Sequence, residues 1–378
     1  MTEGLRQMDW QTLLLRNAAD LRTPALIVDL DAFERNIDKM AAHCRQNGIA
    51  LRAHAKTHKC VEIARRQIAA GAIGQCCTSL EEAEALVAGE IASVLLTAPL
   101  VAEPAIRRML ELTAACPGLM AVADNEAAVH RLSQAAFGAG QTLKLLVDID
   151  IGHHRTGILP GKPAAALAAL IAKSPNLEFA GIQGYAGHLM HVADRAERQA
   201  GLADGLEQMR LTRDLLRSMG IDPRIITGGG TGSFDIDPAQ QVLTELQAGS
   251  YIFMDRQYNE VWAEPDDAPP FETSLFVLSR VVSATHPGMA TTDAGLKAFA
   301  TDAGAPVVSF GPDATYSFFG DEYGRITLAE NARVKPGDAV ACIAPHCDPT
   351  VNLYGHYLVV RGGELVDRWP IVSGKYRT

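Results

Sequence analysis

Residues 224–251 read RIITGGGTGSFDIDPAQQVLTELQAGSY. Two β-rich runs, 224–227 and 243–248, each break into a glycine turn. The first turn is Thr227-Gly228-Gly229-Gly230-Thr231-Gly232-Ser233 and the second is Gln247-Ala248-Gly249-Ser250-Tyr251. Toward the N-terminus the same unit recurs. Short β-rich runs at 50–54, 73–78, 94–97, 120–123, 145–149 and 179–185 end in turn or polar residues. Amphipathic helical patterns at 61–70, 81–88, 103–114, 126–136, 163–172 and 195–219 lie between the runs. Strands separated by helices run parallel, because a parallel neighbour needs a crossover. Eight such strands are the number that closes a (β/α)8 barrel. A doubly wound open sheet is the alternative that alternation alone leaves open.

One strand stands outside the count. Residues 23–30, TPALIVDL, precede a helix expected over 32–46, opened by Asp31 as N-cap and stopped at Gly48. Beyond Asp255 the beat changes. Runs at 274–283, 306–310, 325–328, 338–343 and 357–361 are joined by turns such as Lys335-Pro336-Gly337-Asp338 and Arg361-Gly362-Gly363-Glu364. This is the pattern of a mainly antiparallel β-domain, and 23–30 is expected to join it. The fold class is therefore α/β, with a barrel over 31–255 and a β-domain made of 1–30 together with 256–378. A length of 378 residues suits two such domains.

Composition narrows the class. With 48% hydrophobic and 21% charged residues the chain is ordinarily globular. Lys and Arg number 34 against 44 Asp and Glu, and a net charge of −10 disfavours nucleic acid as a partner. No run approaches the ~20 apolar residues of a membrane helix. The N-terminal stretch MTEGLRQMDWQTLLLRN does not read as a secretory leader. Seven scattered cysteines without C-x-x-C read as reduced thiols, which points to the cytoplasm.

Functional groups of such barrels gather at the C-terminal ends of the strands, and a phosphate site often follows strands seven and eight. Here those ends carry Gly230, Thr231, Gly232 and Ser233, then Gly249, Ser250 and Tyr251. Glycines let backbone N–H groups approach phosphate oxygens, and the hydroxyls add donors. Tight turns would use the same glycines. The first barrel strand ends in Arg52-Ala53-His54-Ala55-Lys56-Thr57-His58-Lys59. A solvated surface lysine is the ordinary reading of Lys56. A desolvated one there can form a Schiff base with a carbonyl cofactor. Such a lysine with a phosphate cup is the layout pyridoxal 5'-phosphate needs. Arg155 is placed either to donate to that cofactor's phenolate oxygen or to pair with Asp148 or Asp150. Tyr185 either faces the ring or fills the barrel mouth. In Pro345-His346-Cys347-Asp348-Pro349-Thr350, extended chain would turn His346 and Asp348 to one side and Cys347 to the other. This pair reads either as metal ligands or as a salt-linked loop.

The runs TPALIVDLD, RAHAKTHK, ITGGGTGS, ELQAGSYIFMD, DAGLKA and PHCDPT, in this order between Thr23 and Tyr376, strongly resemble the D-threonine aldolase family. Its relatives are D-serine dehydratases and 3-hydroxy-D-aspartate aldolases. The resemblance implies an alanine-racemase-like barrel plus β-domain and a homodimer. It also implies cleavage of D-3-hydroxy amino acids with pyridoxal phosphate and a divalent metal. On it, Lys56 matches the Schiff-base lysine, Arg155 the cofactor-facing arginine, and His346 and Asp348 the metal ligands. Gln247 falls where related racemases carry an arginine against the pyridine nitrogen, and a neutral residue there is expected to limit protonation of that nitrogen. Dehydratase relatives tend to carry His-x-Cys at the metal position. His-x-Asp suits Mn²⁺ or Mg²⁺ completed by waters and points to the aldolase branch. His188 is the candidate base for the substrate's β-hydroxyl proton. Thr78, Tyr323 and the run Tyr185-Ala186-Gly187-His188 depart from the family pattern, at positions that would line the substrate pocket. The alternatives are a D-serine or 3-hydroxy-D-aspartate dehydratase/aldolase, an amino-acid racemase, and a non-catalytic pyridoxal-phosphate-binding protein.

Overall fold

A computed structural model describes residues 12–13, 16–17, 21–262 and 269–372. Residues 1–11, part of the stretch read above for a leader, and 373–378, where the family-like span ends, lie outside the described residues. The described residues fall into two compact units. Asp38–Gly249 form one, and the described residues up to Ile37 with those from Ser250 onward form the other.

The first unit is a closed parallel barrel. Its strands are β2 (Ala50–His54), β3 (Gly74–Cys77), β4 (Val94–Leu96), β5 (Leu119–Ala123), β6 (Leu143–Ile149), β7 (Leu177–Gly184), β8 (Ile225–Gly228) and β9 (Glu245–Leu246). Crossovers run through α2 (Val61–Ala69), α3 (Leu80–Ala88), α4 (Glu103–Ala115), α5 (Glu126–Ala139), α6 (Lys162–Lys173) and α7 (Arg195–Ser218). The expected eighth strand shrinks to two residues, and closure rests on Ala50 and Leu51 of β2 pairing with Glu245 and Leu246 of β9. Strand alternation sets the lumen. Cys76, Leu95, Met120, Val122, Leu146 and Ala180 form one buried cluster. Arg52 pairs in register with Gly74, two residues before Cys76, so it shares that inward face. There it forms a two-pronged ion pair with Glu245, Nε to Oε2 at 2.8 Å and Nη2 to Oε1 at 3.0 Å, across the closing seam. Gly74 has to be glycine here, since a Cβ would sit 2.4 Å from the Arg52 guanidinium and 2.6 Å from the Ser93 carbonyl.

The second unit is built on a nine-stranded sheet. Its main path runs β13 (Ala314–Phe318), β14 (Gly324–Leu328), β11 (Met289–Thr292), β10 (Leu275–Ser283), β1 (Ala25–Asp29), β16 (His356–Arg361) and β17 (Glu364–Pro370). β15 (Ala339–Ile343) pairs with β10 and with β12 (Val307–Phe310). All pairings are antiparallel except β1 with β16, and the N-terminal strand does join this sheet. Strands β11, β13 and β17 were not expected from the sequence. β13 and β17 alternate only weakly in burial, and β11, though it alternates, has only the four residues Met-Ala-Thr-Thr to carry a period-2 signal.

Helix α1 (Leu30–Asn47) follows β1 without a loop. Its cap is Asp29 rather than the expected Asp31. Asp29 Oδ1 accepts the backbone N–H groups of Asp31 (3.1 Å) and Ala32 (3.2 Å). Because the helix begins two residues earlier than expected, Asp31 lies inside its first turn and accepts from Arg361 Nε at 2.9 Å. The C-terminal stop at Gly48 is as expected, with φ +62°.

Candidate active site

The barrel mouth begins at the turn after β2. Ala55 and Thr57 are buried and Lys56 is half-buried between them. Beneath it the inward face of the last strands is polar. Register places Asp148 of β6 beside Gln183 of β7, and Gln183 beside Thr227 of β8. Gln247 lies two residues beyond Glu245, on the same face. These four residues are hydrogen-bonded in a chain. Gln247 Nε2 donates to Gln183 Oε1 (3.1 Å) and to Thr227 Oγ1 (3.0 Å). Gln183 Nε2 donates to Asp148 Oδ1 (3.0 Å), and Thr156 Oγ1 donates to Asp148 Oδ2 (2.8 Å). Burial pushes the Asp148 carboxyl above its ordinary range, against the hydrogen bonds from Gln183 and Thr156.

The loop after β8 is fully buried around Gly230, Thr231 and Gly232. Gly229 has φ +72°, and a Cβ there would sit 2.2 Å from Asp237 Oδ2. A Cβ on Gly232 would meet the Met190 carbonyl at 2.1 Å. Ser233 is committed to the loop itself, accepting the Gly230 N–H at 3.0 Å and donating to Asp237 Oδ2 at 2.6 Å. Asp237 Oδ1 has no hydrogen-bond partner among the described residues. Burial drives this carboxyl up to about 7, with the nearby Asp235 charge adding to the rise. At the end of the barrel unit, a Cβ on Gly249 would press on Thr57 Oγ1 (2.8 Å) and the His54 carbonyl (2.9 Å).

Arg155, Tyr185 and His188 are brought together at the rim. The Arg155 guanidinium carbon lies 5.6 Å from the Tyr185 ring centre. Among the described residues no ion pair joins it to the two aspartates offered as alternatives. Asp150 Oδ2 instead takes His154 Nδ1 at 2.7 Å, and Asp148 is held as described. Sequence reasoning passed over His153. Its ring stacks on His188 at 5.7 Å and 11° and meets Tyr185 edge-on at 6.1 Å. Burial, then the Arg155 and His188 charges, lower its basicity. A histidine between a glycine and a second histidine gives no local sign of such stacking.

In the β unit, the chain is not extended past His346. That residue caps α9 (Cys347–Val351), preceded by α8 (Arg256–Val261). Alternation therefore does not apply beyond it. The Cys347 N–H is drawn into the helix start by Asp255 Oδ2 at 2.8 Å. His346 Nδ1 pairs with Asp302 Oδ2 at 2.7 Å, and Ser250 Oγ lies 3.5 Å from Asp348 Oδ1. Tyr251 is buried against Phe271, ring centres 5.4 Å apart. Among the described residues no group of three His, Cys, Asp or Glu side chains could hold a metal. The donor chemistry still fits a hard divalent ion completed by water. A carboxylate on Nδ1 fixes the ring so that Nε2 presents its lone pair, as in ligating histidines, and Asp348 offers oxygen two residues on. Pyridoxal phosphate also fits, since its amine, its N–H-rich glycine turns and a hydrogen-bonding floor are all present.

A family model described as alanine racemase, N-terminal domain matches residues 28–257. Over 355 residues the chain is 39% identical to a D-threonine aldolase of an Arthrobacter species, covering 93% of each chain. It is 36% identical to a 3-hydroxy-D-aspartate aldolase of Paracoccus denitrificans, covering 93% of this chain and 92% of that one. The crystal structure of a D-threonine aldolase from Filomicrobium marinum superposes with a TM-score of 0.90 at 39% identity, over 94% of this chain and 96% of the other.

Proposed function

The chain belongs to the D-threonine aldolase family, built on the alanine-racemase barrel, and from that premise we propose that it cleaves D-3-hydroxy amino acids to glycine and an aldehyde. The observation that carries this reading is Lys56 at the end of the first strand of a closed barrel whose last two strands end in buried glycine turns. Pyridoxal 5'-phosphate at Lys56 supplies an electron sink for the Cα–Cβ bond. A divalent cation at His346 and Asp348, Mn²⁺ or Mg²⁺, supplies Lewis-acid stabilisation of negative charge on oxygen.

The chain's own residues do the rest. Backbone N–H groups of Thr231 and Gly232, then of Gly249, Ser250 and Tyr251, bind phosphate, while Gly230, its N–H taken by Ser233, shapes the turn. Arg155 holds the phenolate oxygen from its place over Tyr185. Gln247 lies against the pyridine nitrogen. His188 takes the β-hydroxyl proton, and its stacking on His153 limits how its ring can turn. Asp302 orients His346. Two attachment points, one at the amine and one at the hydroxyl, select the D configuration at Cα and constrain Cβ loosely.

The same reading takes the enzyme as a cytoplasmic homodimer. Seven free, buried cysteines support a reducing compartment. Among the described residues no helix is long and apolar enough to cross a membrane.

The test is product analysis on the four threonine isomers with enzyme, pyridoxal phosphate and Mn²⁺. Glycine and acetaldehyde are expected from D-threonine and D-allo-threonine, with both L isomers inert. Lys56→Ala should lose this activity together with the visible absorbance of lysine-bound cofactor. Glycine from the L isomers, or 2-oxobutanoate as the main product, would overturn the reading.

A further inference from the structure

The polar floor of the barrel has a direction. Both hydrogens of Gln247 Nε2 are spent, one on Gln183 Oε1 and one on Thr227 Oγ1. Gln183 cannot turn its amide around, because its Nε2 faces Asp148 Oδ1 at 3.0 Å. An ionised carboxylate only accepts hydrogen bonds. Asp148 is held in that role by a second donor, Thr156 Oγ1, at 2.8 Å on its other oxygen. If Gln247 were flipped, its Oε1 would confront Gln183 Oε1, oxygen against oxygen. The orientation of each amide thus follows from the network, and the network is anchored at one charge. What remains is Gln247 Oε1. It takes no hydrogen bond from any described residue, and it is not among the sealed, unpartnered polar atoms of the interior.

We propose that Asp148 is a positioning residue that, through Gln183, locks the Gln247 amide with Oε1 toward the ring nitrogen of the cofactor, so that this nitrogen is held protonated. The inference rests on the proposed placement of Gln247 against that nitrogen. It assigns the glutamine an electronic effect that its neutrality alone does not predict. An arginine at this position can only donate, which favours an unprotonated nitrogen. A glutamine can do either, and here the donor end is already used. A lone acceptor rewards an N–H, and a protonated ring draws electrons from the Cα–Cβ bond more strongly. Thr227 contributes by occupying the second Nε2 hydrogen, which would otherwise be available to the ring.

The experiment is nitrogen NMR of the holoenzyme reconstituted with pyridoxal phosphate labelled with ¹⁵N in the ring. The wild-type signal is expected in the pyridinium range. Gln247→Glu, which still presents an acceptor, should keep it there. Gln247→Leu should move it to the free-pyridine range. Asp148→Asn, whose amide can face either way, should move it part of the way. Should Gln247→Leu fail to hold cofactor, the Gln247→Glu and Asp148→Asn pair decides. A wild-type signal in the free-pyridine range, or a shift unmoved by Gln247→Leu or, where that variant is empty, by Asp148→Asn, overturns the relay while leaving the aldolase reading intact. A wild-type protein that takes up no labelled cofactor overturns the proposed function and the relay with it.

Discussion

Asp237 sits in an environment that its neighbours in sequence do not suggest. It follows a glycine-rich turn and precedes a proline, which reads as exposed loop, yet it is 1% accessible with one oxygen unpartnered. Its carboxyl is raised to about 7 by burial. The sign follows from proton linkage. The folded protein holds a proton that the unfolded chain has already released, so stability falls as pH rises toward 7 and is level above it. Wild-type protein is expected to lose about 3 kcal/mol between about pH 5 and about pH 8 from this group. Urea unfolding at both pH values should find that loss reduced by a similar amount in Asp237→Asn. An identical pH slope in the two proteins would remove Asp237 from the account. At the same scale, Ser233 read as a phosphate donor in the sequence, but its hydroxyl is spent on Gly230 and Asp237. Its part is to shape the turn.

Among the elements, the seam between β2 and β9 bears the closure of the barrel, because β9 is only two residues long. The seam has few backbone hydrogen bonds, and the buried Arg52–Glu245 pair spans it. Removing one partner of such a pair leaves an uncompensated buried charge, at a cost of roughly 3–5 kcal/mol. Glu245→Ala should therefore lower unfolding free energy by about that much. Replacing both partners together with apolar residues should cost less than the single change. A denaturant titration showing Glu245→Ala within about 1 kcal/mol of wild type would mean that water solvates Arg52 in the variant. The barrel helices were legible in the sequence nearly to the residue, as with the expected 195–219 and the observed Arg195–Ser218. An amphipathic period repeats over many turns and averages out local noise. The short strands of the β-domain offer no such averaging.

For the whole molecule, the proposed cofactor lysine lies in the barrel unit and the proposed metal pair in the β unit, so the two groups should be separable by chemistry. Chelation is expected to stop glycine formation while leaving the visible absorbance of the lysine-bound cofactor nearly intact, and Mn²⁺ should restore turnover. Full activity in a preparation verified as metal-free would exclude the metal's role. The sequence by itself determined eight β-rich runs alternating with helices, and the pairing of β2 with β9 decided for the closed barrel over the open sheet that alternation leaves open. The sequence also determined the place of Lys56 and of the glycine turns, because each is a strand end and strand ends are locally marked. Only the tertiary structure decided which side chains meet. Asp148 and Gln183 are 35 residues apart, and Gln183 and Gln247 are 64 apart. Their partnership depends on strand register, which no local pattern encodes. The same holds for His153 on His188, for Asp302 on His346, and for the helix that ends the extended chain at His346. Periodicity reports which face of an element is buried. Hydrogen bonding between faces is set by how the closed sheet is sheared, and that is a property of all eight strands together.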